Sequence, residues 1–291
     1  MRIGIDSYCF HRFFGEVYEG QPEPAAPMSM DDFLAFAMDL QVDGVSLESC
    51  FFPTWDESWF RALGVKLDEL GLDRVYAWGH PSGLEDGTNA AALDDLIRQI
   101  PYAALIGARV MRVTPGPGSL DYRYTPRQPR LEVLARWYRE AVRVAEQYGV
   151  KLAAENHGDY TAVEMLRLVE AVGSPSFGVT FDTGNFLRLL DDPVRAAAKL
   201  APHTFATHIK DVMVRKGVPP SDWSFFSSTP IGEGLVDIAA IIRLLHAANY
   251  EGLLAVEIDH LHPVYHYDEH AAVRQSVAAL RTMVHELDHS S

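Results

Sequence analysis

The chain has 291 residues, 48% apolar and 22% charged, with 40 acidic residues against 25 basic ones and a formal net charge of −15. That composition is globular, and the acidic excess without any Lys/Arg cluster argues against nucleic acid as a partner. Cys9 and Cys50 are the only cysteines, too few for a disulfide framework or a thiolate zinc site, so a reducing compartment is expected. The opening MRIGIDSYCF reaches Asp6 before a long apolar run forms. No span of about 20 apolar residues follows, so neither a signal peptide nor a membrane segment is expected and the protein reads as cytoplasmic.

In chain order, the first short apolar run is RIGID (2–6), and MDDFLAFAMDL (30–40) then places apolar residues at helical spacing behind Ser29, a plausible N-cap. GVSLE (44–48), RVYAW (74–78) and RVMRV (109–113) are strand-like, and LEVLARWYREAVRVAEQY (131–148) is an amphipathic helix. VKLAA (150–154), GVTFD (178–182) and FATHI (205–209) follow, then the helix VDIAAIIRLLHAANY (236–250), with Asp237 at its start, and finally LLAVE (253–257). Runs this short and this rich in Val, Ile, Leu, Ala and Thr fit strands buried on both faces.

The connections are asymmetric. Helix-to-strand turns such as QVDG, ELGLD, IGA, QYG and ANYEG are tight, whereas FHRFFGEVYEGQPEPAAPMS, TPGPGSLDYRYTPRQPR and the segment 212–234 are long and carry aromatics or prolines. Eight β-then-α units with elaborated loops on one side predict an α/β fold, a (β/α)8 TIM barrel occupying 1–291 as a single domain. A doubly wound sheet would put a glycine-rich phosphate turn after its first strand, and DSYCFHR is unlike one.

Four successive strands end in AAENHG, VTFDTGN, ATHIKD and AVEIDH, delivering Glu155, Asp182, His208 and Glu257. Two residues earlier on the same face stand Ala153, Thr180, Ala206 and Ala255, a layer of small side chains that leaves room above the barrel core. A lone carboxylate at a strand tip is usually a cap or a loop salt bridge; four in phase are hard to obtain that way. Three carboxylates and one imidazole suit one divalent ion, Mn²⁺ or Mg²⁺, with Zn²⁺ or Co²⁺ as options.

With ENHG (155–158), FDTGN (181–185), HIKD (208–211) and GEGLVDIAAIIRLLHAANYEGLLAVEID (232–259), the chain resembles the xylose-isomerase-like barrels, specifically their sugar phosphate isomerase/epimerase members. The resemblance implies that Glu155, Asp182, His208 and Glu257 bind a divalent metal, often manganese, and that Glu155 and Glu257 move protons. It implies isomerisation, epimerisation or elimination on a keto-sugar. The chain departs from the ketose 3-epimerase pattern, with Asn185 where those enzymes carry a histidine, and His157 and Thr161 where a second glutamate follows. RVTPG lacks the histidine that the apurinic endonucleases of this fold use, which with the acidic charge disfavours a nuclease.

The expected reaction is therefore a metal-dependent sugar isomerisation or epimerisation through an enediolate. The alternative is a lyase or dehydratase acting on a keto-sugar, keto-inositol or keto-glycoside, and a non-catalytic sugar-binding barrel is a third reading. His157 shares the face of Glu155 and reads as an extra acid/base or as a hydrogen-bonded support. Lys210 holds a substrate oxygen or pairs with Asp182 or Glu257. Glu48, His80 and Arg112 end the second, third and fourth strands and, with Asn185 and Trp223, complete the substrate-binding candidates. Asp259 lies in phase with Glu257, and His260, His262, His266 and His270 follow no ligand spacing and read as a solvated loop. Phe13, Phe14, Trp223, Phe225 and Phe226 are expected to form an aromatic wall over the site or a contact with a second subunit, so a homo-oligomer is an option. The partner expected is a small sugar or sugar derivative, and no phosphate cradle is evident.

Overall fold

The computed structural model describes residues 1–117 and 127–289; residues 118–126 of the long TPGPGSLDYRYTPRQPR loop lie outside them. Eight parallel strands close on themselves: β1 (Arg2–Asp6), β2 (Gly44–Glu48), β3 (Asp73–Ala77), β4 (Val110–Val113), β5 (Lys151–Glu155), β6 (Phe177–Asp182), β7 (Thr204–Ile209) and β10 (Leu253–Val256), ordered β1-β10-β7-β6-β5-β4-β3-β2. Closure is made by β1, which pairs Arg2 with Leu253 on one side and Gly4 with Gly44 on the other. A side chain at Gly44 would stand 2.5 Å from the Asp73 carbonyl and 2.8 Å from the Leu253 methyls. Glycine there lets Leu253 plug the bottom of the barrel.

Between the strands run α1 (Met30–Asp39), α2 (Glu57–Glu69), α3 (Ala90–Leu105), α4 (Gln128–Gln147), α5 (Ala162–Val172), α6 (Pro193–Leu200), α7 (Ile238–Ala247) and α8 (Glu269–His289). Their starts have identifiable causes. Ser29 and Asp32 form a reciprocal capping box at α1, Thr161 and Glu164 do the same at α5, and Asp237 accepts from the Ala240 amide at α7; each such cap contributes about 1 kcal/mol. This is the (β/α)8 barrel that the sequence predicts, a single domain, with strand ends within a residue or two of expectation.

One element departs from expectation. Within 212–234, expected to be a loop, β8 (Asp211–Val214) and β9 (Phe226–Thr229) form an antiparallel hairpin after β7. Asp211 anchors it: its carboxylate accepts from the amides of Val212, Gly232, Gly234 and Val236, at 2.9–3.1 Å. The hairpin is tied to the chain after β10 through Ser228, whose backbone exchanges bonds with His260 and His262. No helix among the described residues is long and apolar enough to cross a membrane.

Candidate active site

Register sets the floor of the site. Asp182 lies level with His208, His208 with Ala255, and Glu155 with Thr180. The inward layer of Ala153, Thr180, Ala206 and Ala255 is buried, so side chains one step further up can converge. Glu155, Asp182, His208 and Glu257 each offer one ligand atom, and these atoms all lie within 4.8 Å of one another. His208 Nδ1 stands 3.1 Å from Glu155 Oε1 and 3.5 Å from Glu257 Oε1, while its Nε2 faces Asp6 Oδ2 at 3.4 Å.

The charges around that point do not balance. Among the described residues, Asp6, Glu48, Glu155, Asp182, Glu257 and Asp259 are buried there with Arg112, Arg188, Lys210 and His208 as their cationic partners. Burial alone would lower the pKa of His208, yet Glu257 and Glu155 drive it well above the usual imidazole value. Burial likewise pushes Asp182 up to about 7, against the pull of Lys210. Asp182 Oδ2 and Glu257 Oε2 are buried and accept no well-aligned hydrogen bond among the described residues, although both lie within ion-pairing distance of Lys210. Oxygen atoms aimed at a common point, a hard O₃N donor set and an excess of negative charge fit a divalent cation.

Adjacent residues hold the four in place. The Asn156 amide spans two strand tips, donating to the Asp182 carbonyl at 2.8 Å and accepting from the Asp182 amide at 2.9 Å. Thr183 is pinned to the backbone of Lys210, donating to its carbonyl at 2.7 Å and accepting from its amide at 2.8 Å. Gly184 leaves room for the Lys210 stem, since a Cβ there would sit 3.2 Å from Lys210 Cγ and Cδ. The Gly184 and Asn185 amides both donate to Asp182 Oδ1 at 2.8 Å, which leaves Oδ2 free to face the centre. The motif DTGN is thus a candidate ligand followed by three residues that set its neighbours.

Lys210 Nζ lies 2.7 Å from Glu257 Oε2 and 3.1 Å from both Asp182 Oδ2 and Asp259 Oδ2. Arg112 sends Nε to Glu155 Oε2 at 2.7 Å and reaches Glu48 with Nη1 at 3.4 Å. Burial opposes ionisation of Glu155, but Arg112 and His208 hold its carboxyl well below the usual range.

Above this floor opens a cavity of about 1100 Å³. Of the residues singled out in the sequence, Glu48, His80, Arg112, His157, Lys210, Trp223 and Glu257 line it, while Glu155, Asp182, His208 and Asn185 sit beneath or behind. Asn185 accepts from Arg188 Nε at 3.2 Å. His157 faces Trp223, ring centroids 5.3 Å apart, and its Nδ1 is buried with no hydrogen-bond partner among the described residues. Burial lowers its pKa to about 4, which keeps the imidazole neutral. Trp223 donates its indole N–H to Asp259 at 3.0 Å, and the Arg188 guanidinium lies 3.6 Å from its ring centroid.

The aromatic wall differs from expectation. Of the five loop aromatics only Trp223 lines the cavity; Phe13, Phe14 and Phe226 pack against the core. Tyr8 and Tyr18 also line it, their hydroxyls close to each other and both within hydrogen-bonding distance of the Glu16 carboxylate. His260 belongs to the cavity rather than to a solvated loop and is 4% exposed, whereas His266 is exposed. His270 packs among Phe10, Phe13 and Phe36.

The barrel has known counterparts. The chain belongs to the xylose isomerase-like TIM barrel family, whose model matches residues 34–283. It is 26% identical over 160 residues to the 3-oxo-isoapionate decarboxylase of Pectobacterium atrosepticum, an alignment covering 54% of each chain. It is 28% identical over 139 residues to the inosose dehydratase of Clostridium beijerinckii, covering 44% of this chain and 47% of that one. The chain spans about half the length of these curated relatives. In fold it is similar to the crystal structure of the IOLI protein with a bound zinc atom, with a TM-score of 0.76 over 98% of this chain and 99% of that one at 12% identity.

Proposed function

We propose that the protein is a divalent-metal-dependent lyase that enolises a keto-sugar or keto-inositol and expels a group from the carbon β to the ketone. The observation that carries the reading is the convergence of Glu155, Asp182, His208 and Glu257 at the floor of the cavity. A cation held there supplies Lewis acidity, favouring negative charge on the oxygen of an enolising ketone. Manganese is the ion we favour, with Mg²⁺, Co²⁺ and Zn²⁺ compatible with the donor set.

Glu257 lines the cavity and takes the proton from the carbon beside the ketone; Lys210, 2.7 Å from Glu257 Oε2, orients that carboxylate. Glu155, tied to Arg112, is a ligand first and a poorer base. His157, neutral and unpartnered at Nδ1, is a third acid/base group that a two-carboxylate proton shuttle does not need. Relatives named a dehydratase and a decarboxylase favour elimination. Isomerisation or epimerisation is the second reading, supported by the presence of both glutamates in the cluster. His80, Arg112 and Trp223 line the cavity and bind the rest of the substrate, a small sugar derivative.

The test is turnover in D₂O with metal-loaded protein and a panel of keto-inositols and ketoses. Solvent deuterium should enter the carbon beside the ketone, and Glu257→Gln should lose exchange and turnover together, by roughly 10²-fold or more. Turnover without carbon-bound deuterium would point to hydride shift or hydrolysis and overturn the reading.

A further inference from the structure

Around the eight-stranded ring, β2 lies four strands from β6 in either direction, so Glu48 stands across the barrel mouth from Asp182. It is 2% exposed, it lines the cavity, and its Oε1 accepts no well-aligned hydrogen bond among the described residues, with Arg112 Nη1 at ion-pairing distance, 3.4 Å. We propose that Glu48 is the general acid of the elimination, giving its proton to the oxygen that leaves the β-carbon. This rests on the enolising reading above.

One guanidinium serves two carboxyls, and it serves them unequally. Arg112 Nε lies 2.7 Å from Glu155, whereas Nη1 lies 3.4 Å from Glu48 Oε1, donates a long bond to Glu48 Oε2 at 3.5 Å and also donates to the Trp78 carbonyl at 3.3 Å. Glu155 takes the charge, and Glu48 is left loosely held in a buried, acidic setting. Burial pushes it up to about 8; Arg112 from β4 and His208 from β7 pull it down, and Asp6 from β1 and Glu257 beyond β10 push it up. Two carboxyls forced apart by their surroundings are how one site comes to hold a base and an acid at the same pH.

Placement supplies the rest of the argument. A ketone held at the metal side of the mouth presents its far substituents to the β2 side. Glu257 removes the proton, and the C–H electron pair becomes the enol π bond. That pair then forms the Cα–Cβ double bond as the Cβ–O bond breaks, and the departing oxygen takes the Glu48 proton and leaves as water. Glu48 ends as a carboxylate and Glu257 as a carboxylic acid, and solvent returns the proton from one to the other. No oxidant or reductant is needed.

The experiment uses metal-loaded protein, a keto-inositol and its analogue with fluorine in place of the β-hydroxyl. Wild type should exchange solvent deuterium and release water. Glu48→Gln should keep its metal and its exchange while elimination of the hydroxyl falls roughly 10²–10⁴-fold, the usual worth of a positioned acid. The fluoride should leave at a rate within about threefold of wild type, because fluoride departs with far less help from a proton. Elimination by Glu48→Gln at the wild-type rate would overturn the assignment. So would loss of exchange and elimination together, or an equally slow fluoride. Wild type that exchanges no deuterium would fail the enolising reading first, and this inference with it.

Discussion

The two halves of the barrel mouth are built differently. On the side of β5, β6, β7 and β10, the backbone around the candidate ligands is braced: Asn156 across the tips, Thr183 on Lys210, two amides on Asp182, and Lys210 between Glu257 and Asp259. On the side of β1 to β4, Arg112 is tied to Glu155, but the other side chains that line the cavity are less tied. Glu48 is loosely held, His80 stacks on Trp78 at 5.1 Å, and Tyr8 and Tyr18 share Glu16. Rigid bracing suits groups that must converge on one ion, because ligand geometry tolerates little error. Looser groups suit a substrate that enters and leaves. The comparison separates the measurable effects: changes on the first side should appear in metal affinity, and changes on the second in substrate kinetics.

The largest effect is expected from the proposed ligands themselves. Asp182→Ala and His208→Ala should each abolish activity and weaken metal binding on the order of 10²-fold or more, while the melting transition of the metal-free protein stays near that of wild type. The strand tip sits above the core, so removing a ligand leaves the packing beneath it intact. Metal per chain after dialysis against limiting metal, with thermal melts alongside, checks this. Full activity of either variant under limiting metal would remove that residue from the ligand set.

A smaller loss is expected one layer out. Asn156→Ala removes both bonds that join the β5 tip to Asp182, leaving the Asp182 amide and carbonyl unpaired. Metal affinity should fall roughly 10–100-fold, with KM at saturating metal little changed. A raised KM with unchanged metal affinity would break the proposed division between the halves.

Much of this was legible beforehand because strand periodicity and ligand chemistry are local signals. RIGID and GVSLE are β1 and β2 to the residue, and the phase of Ala153, Thr180, Ala206 and Ala255 follows from side-chain alternation alone. The bracing was harder to read. Asn156 stands between two candidate ligands in ENHG, yet the partner of an amide depends on strand register, which no single sequence states. The hairpin of β8 and β9 escaped because its strands are four residues each, separated by a long turn with two adjacent prolines. The loop aromatics were misassigned for a related reason: Phe13 and Phe14 have the same composition signal as Tyr8 and Tyr18, and only packing decides which pair faces the cavity. His260 looked like one of a solvated series until the hairpin covered it, with Ser228 bonding to its backbone.

The smallest expected effect tests the hairpin's contribution to the cavity. Trp223 is held from three directions: its carbonyl accepts from Arg188 at 2.6 Å, its ring lies under the same guanidinium, and its indole N–H reaches Asp259. So fixed, it presents a rigid aromatic edge to the cavity at little entropic cost. Trp223→Ala removes that surface but leaves Asp259 paired with Lys210, so the ligands below should keep their positions. KM should therefore rise roughly 10-fold, equivalent to about 1.4 kcal/mol of uniform binding, with kcat changing less and metal content unchanged. Trp223→Phe keeps the ring but not the hydrogen bond, and should recover most of the loss. If Trp223→Ala instead lowers metal content, Asp259 depends on the indole to position Lys210, and the hairpin belongs with the braced half of the mouth rather than with the substrate side.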